Sequence, residues 1–94
     1  MIGGNLVAET VLIKDKINSS LEMNSAAVEF LEDVDKISEK DILIDFTGVI
    51  FVSRSFAQSY FSKKSKMDKN ITEINISEGV KPLMDMISKK FNKI

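Results

Sequence analysis

The chain has 94 residues, 44% of them apolar and 29% charged, with a formal net charge of −1. That balance is the one of an ordinary globular protein; it argues against intrinsic disorder and against a membrane protein, and the length leaves room for one core, so a single domain over 1–94 is expected. Cysteine and histidine are absent, which removes disulfides, thiolate and imidazole metal sites and the nucleophile systems built on them.

The apolar pattern alternates between strand-like and helix-like periods. Val7 to Lys14 carries the β-rich run Thr10-Val11-Leu12-Ile13 and reads as a first strand or the start of a hairpin. Lys16 to Met23, with the turn-prone Asn18-Ser19-Ser20, fits neither period. From Asn24, a good N-cap type, Ala27, Phe30, Leu31, Val34 and Ile37 recur at helical spacing, and Met23 and Val28 are placed for a hydrophobic staple. Asp41 to Phe46 is a short apolar run, the pattern of a central strand buried on both faces.

A second helix begins near Ser53 or Ser55 and runs to about Lys66, with Phe56, Ala57, Tyr60 and Phe61 on one face. Ile71 to Ile76 alternates apolar with polar and reads as the last strand. Val80, Leu83, Met84, Ile87 and Phe91 share a face of a third helix that starts close to Lys81, with Pro82 in its first turn. The five methionines read as core filling, Met84 and Met67 among them. The expected fold is therefore α/β in the order β-α-β-α-β-α, with a small mainly parallel or mixed sheet flanked by helices.

Sites in such sheets lie beyond the carboxyl ends of the strands, which here selects the loop from Asp45 to Ser55. Asp45 is either a turn carboxylate bonded to the backbone or the Thr47 hydroxyl, or a lone acid or metal ligand; Glu73 and Asp85 have no sequence reason to join it. Gly48 supplies a backbone conformation that other residues resist. Ser55 is either a helix cap or a modifiable hydroxyl, because the N–H groups that a cap satisfies would also hold a phosphate. Arg54, the only arginine, either clamps a partner's carboxylate or phosphate or is an exposed side chain. The lysines of two clusters, Lys63, Lys64, Lys66 and Lys69, then Lys89, Lys90 and Lys93, fall at expected helix C-termini, where they complement the dipole. With the net charge near zero they argue against nucleic acid unless a local patch forms.

The stretch Asp45-Phe46-Thr47-Gly48-Val49, the apolar Phe51-Val52 pair and the helix opening Ser53-Arg54-Ser55-Phe56-Ala57 resemble the STAS-like domains, relatives of the anti-sigma-factor antagonists. Glu73-Ile74-Asn75-Ile76-Ser77 and the Leu83 to Ile87 helix extend the resemblance over about Ile42 to Phe91. It implies a regulatory module, not an enzyme, that docks a kinase or anti-sigma type of protein partner and is switched by phosphorylation of a serine at the position of Ser55. Two positions depart from the family's pattern: Ser53 stands for its aspartate and Phe56 for its glycine.

The partner surface expected from these residues comprises Ser53, Arg54, Ser55 and Gln58, with Asp45, Thr47 and Gly48 shaping the loop. No cofactor, metal, nucleic acid or membrane is expected. No segment reaches the roughly 20 apolar residues of a membrane span, and Met1 to Asn5 lack the basic-then-apolar pattern of a leader, which points to the cytoplasm. The competing readings are an oligomerisation domain, paired as a homodimer through a sheet edge or helix face, and a small nucleotide-binding protein or enzyme built on Asp45.

Overall fold

A computed structural model describes residues 8–91. Met1 to Val7 and Lys93, named above, lie outside the described residues. The elements are β1 (Glu9–Leu12), α1 (Ile13–Lys16), β2 (Ser20–Leu21), α2 (Asn24–Asp35), β3 (Asp41–Asp45), β4 (Phe51–Val52), α3 (Arg54–Ser65), β5 (Asn70–Ile74) and α4 (Lys81–Ser88). This is an α/β fold with a parallel sheet in the order β1-β3-β5, and β2 and β4 form a separate parallel pair.

The expected first strand is shorter than its apolar run, because the chain turns helical at Ile13 and buries that side chain. The stretch that fits neither period holds β2, whose two residues are too few to show one. Asn24 lies inside α2 rather than capping it: Met23 holds the cap position with no side-chain bond. Met23 is also 68% exposed, so the staple to Val28 does not form. The last strand ends at Ile74 because Asn75 takes a positive φ of 59°, a conformation asparagine tolerates better than most residues. Pro82 sits in the first turn of α4, where its missing N–H costs nothing.

β3 is central, but it is covered on one face only. Ile42 and Ile44 are fully buried, together with Val11 and Ile71 from the flanking strands. On the other face the register sets half-buried Leu43 between Thr10 and Thr72, both exposed. This corrects the expectation of a strand buried on both faces. The three long helices serve the covered face, with α3 packed against both α2 and α4. Phe30, Leu31, Phe46, Phe56, Tyr60, Met84 and Ile87 belong to the one core cluster. Met84 fills that core and Met67 packs on it, whereas Met23 and Met86 are exposed and fill nothing.

Candidate functional site

The loop after β3 is held by one carboxylate. Asp45 Oδ1 accepts from Thr47 Oγ1 at 2.6 Å, Thr47 N at 2.9 Å and Asn75 Nδ2 at 3.1 Å. The Thr47 hydroxyl, then the Thr47 amide and the Asn75 amide, hold the Asp45 carboxyl below its ordinary pKa, against a small opposing effect of burial. The carboxylate thus joins the ends of β3 and β5. Gly48 has φ +82°, a conformation that favours glycine; a Cβ there would come within 2.9 Å of the Lys14 side chain, whose flexible end can move aside.

Neither acid weighed as a companion for Asp45 joins it. Glu73 accepts from Tyr60 and Lys64 on α3, and Asp85 lies 3.8 Å from Lys81. Among the described residues no group of three acidic, cysteine or histidine side chains is placed to hold a metal ion.

The start of α3 separates the two serines. Ser53 is the N-cap: its Oγ accepts from Phe56 N at 3.0 Å and donates to the Glu22 carbonyl at 2.7 Å. Its backbone N–H donates to Leu21 O at 2.8 Å, extending the β2–β4 pairing by one residue. Ser55 is therefore not the cap, which corrects that reading. Its exposed hydroxyl lies 3.4 Å from Ser53 Oγ and 3.5 Å from the Glu22 carbonyl, the outer limit of hydrogen bonding. Arg54 and Gln58 are exposed one helical turn apart, so Arg54, Ser55 and Gln58 share the solvent side of α3.

Sequence reasoning missed the apolar part of this surface. Ile50 is 74% exposed and Phe51 48%, and they directly precede the serines. β2 brings Met23 to the same end of the molecule, because Phe51 pairs with Ser20 and the Ser53 hydroxyl binds the residue before Met23. The one available signal was the run Val49-Ile50-Phe51-Val52: a short turn and two-residue strand cannot bury four consecutive apolar side chains. Only Val49 and Val52 are buried.

Comparison of the chain with protein-family models, curated proteins and solved structures finds no significant match. The fold and the site define an α/β domain with an exposed apolar and hydroxyl surface at the start of one helix. Among the described residues, no helix is long and apolar enough to cross a membrane.

Proposed function

We propose that the chain is a cytosolic protein-binding module that docks a folded partner through the start of α3. The observation that carries this reading is the exposure of Ile50 and Phe51 just before Ser53, Arg54 and Ser55, with exposed Met23 next to the Glu22 carbonyl that Ser53 binds. Of the four large apolar side chains that are exposed among the described residues, three lie at this end. Apolar anchors rimmed by polar groups, with an arginine at the edge, form the common anatomy of a docking surface.

Regulation by phosphorylation of Ser55 belongs to the same reading, and it is supported by the division of labour between the serines. Because Ser53 satisfies the helix start, Ser55 is free to take a phosphate without loss of the cap. A phosphate adds about −1.5 to −2 charges at neutral pH, enough to repel a partner surface shaped for a neutral hydroxyl. A kinase or anti-sigma type of partner is what the STAS-like sequence resemblance adds.

Affinity capture with the tagged chain tests this, comparing the unaltered protein with the Ile50→Ser/Phe51→Ser pair and mapping phosphate on captured material. A specific partner lost with that pair, and phosphate at Ser55, are the expected results. A partner held equally well by the pair would end docking through this surface, and a homodimer as the only complex would replace this reading with the oligomerisation one.

A further inference from the structure

Two lysines of the first cluster, Lys63 and Lys66, and one of the second, Lys90, meet in space. A groove of about 560 Å³ runs along α3 and is lined by Lys63 from that helix, Lys66 at its C-cap and Lys90 from just past α4. Gln58 and two serines supply hydrogen-bonding groups, and Val28 and Phe91 supply apolar surface. Among the described residues no carboxylate lines it. None of the three ammonium groups lies within salt-bridge distance of a described acid, although Lys36, Lys40, Lys64 and Lys81 each have one. Three positive charges with no ion-pair partner among the described residues are thus concentrated in one concave place on a chain of net charge −1.

Helix dipoles explain why a lysine is favourable at each helix end separately. They do not explain a groove shared by the ends of two helices and lined by no acid among the described residues. Gln58 stands one turn from Arg54 on the exposed side of α3, so the groove continues the docking surface already described. We infer that this groove receives an acidic, partly apolar segment of the partner protein, with carboxylates set against Lys63, Lys66 and Lys90 and an apolar side chain against Val28 and Phe91. The inference rests on the docking reading and adds the chemistry of the partner.

A protein segment fits better than nucleic acid. α2, which forms one wall through Val28, exposes Glu29, Glu32, Asp33 and Asp35. A long polyanion passing through the groove would meet that acidic helix, whereas a short acidic segment ends before it. Complementary charge of this kind raises the encounter rate and selects the partner more than it adds affinity.

The test is direct titration of the full chain with a short labelled peptide of alternating glutamate and leucine, at low ionic strength and then with added salt. Saturable one-to-one binding that weakens with salt is expected. The triple variant Lys63→Glu, Lys66→Glu, Lys90→Glu is expected to weaken it by at least about tenfold, the triple Lys16→Glu, Lys36→Glu, Lys81→Glu, with the same net charge, by no more than about twofold. Circular dichroism checks both folds, and Lys→Gln at the three groove positions replaces the first triple if it unfolds, with loss in the same direction expected. Equal losses in the two triples, no saturable binding, or tighter binding of a single-stranded oligonucleotide of matched charge would each overturn the inference. Partner capture that depends on Ile50 and Phe51 but not on the groove lysines would end the groove inference alone, and peptide binding that depends on the lysines with no captured partner would end the docking reading alone, so the two failures are read separately.

Discussion

Tyr60 donates its hydroxyl to Glu73 Oε2 at 2.8 Å, joining the buried face of α3 to the edge strand β5. Glu73 also accepts from Lys64 at 2.8 Å, and its side chain is only 14% exposed, so the carboxylate is paired rather than stranded. The tyrosine ring lies within the aromatic cluster of Phe46, Phe56 and Phe61. One side chain therefore combines core packing with a hydroxyl link, the only one among the described residues, between that core and β5.

Burial, then the charge of Glu73 and the hydrogen bond to it, raise the Tyr60 pKa well above its ordinary value of 10.0. A raised folded pKa means that the folded state keeps a proton the unfolded state gives up. Its contribution to stability is thus complete below about pH 10 and is lost as pH rises beyond it. As the only tyrosine in the chain, it can be followed alone by tyrosinate absorbance. Ionisation is expected to coincide with loss of the far-ultraviolet helix signal; a tyrosine that titrates normally in still-folded protein would contradict the burial. Tyr60→Phe should cost about 1 kcal/mol and remove part of the alkaline sensitivity.

Asp45 has the opposite sign. Its lowered folded pKa contributes stability that is present above the ordinary value of 3.8 and lost as pH falls through the folded pKa. Denaturant midpoints of the unaltered chain and of Asp45→Asn, which can still accept from Thr47 and Asn75, should converge as pH falls below about 4. Parallel midpoints across that range would show that the charge on Asp45 adds nothing to the turn.

One-sided coverage of the sheet separates two neighbours on β3. Ile44→Ala should cost about 2–5 kcal/mol because it opens a cavity in the filled face. Leu43→Ala, on the half-covered face between two exposed threonines, should cost clearly less. Equal losses by chemical denaturation would mean that the second face is packed against something after all.

The alternation of strand and helix was legible because periods of two and of about 3.6 residues leave marks that survive without knowledge of the partners. What escaped was non-local or too short. β2 and β4 have two residues each and no period to read. Ile42-Leu43-Ile44 looks buried on both sides as a string, and only the register with Thr10 and Thr72 shows that one side is open. The lysine clusters were visible separately, but the meeting of Lys63 and Lys66 with Lys90 depends on how α4 packs on α3. Ser53 and Ser55 are equivalent candidates by residue type, and the choice between them is made by where the backbone turns helical.

That choice gives the last prediction its form, because capping and switching now fall on different serines. Ser53→Ala removes the acceptor for Phe56 N and the donor to the Glu22 carbonyl, and should cost about 0.5–2 kcal/mol. Ser55→Ala removes only marginal contacts, so its effect should stay within about 0.5 kcal/mol. Ser55→Asp places a negative charge in the first turn of α3, which the helix dipole favours, and stability should hold or rise slightly. Under the proposed regulation, Ser55→Asp nevertheless weakens partner binding, while Ser55→Ala binds as the unaltered chain does. Denaturant midpoints and partner affinity measured on the same three variants separate these effects. If binding follows stability across the series, the surface docks its partner without a switch at Ser55; if Ser55→Asp alone loses the partner while keeping its midpoint, charge at that hydroxyl is the control. Since aspartate carries one charge where phosphoserine carries nearly two, enzymatic or synthetic phosphorylation of Ser55 should enlarge the same loss, and a phosphorylated chain that still binds would end the switch.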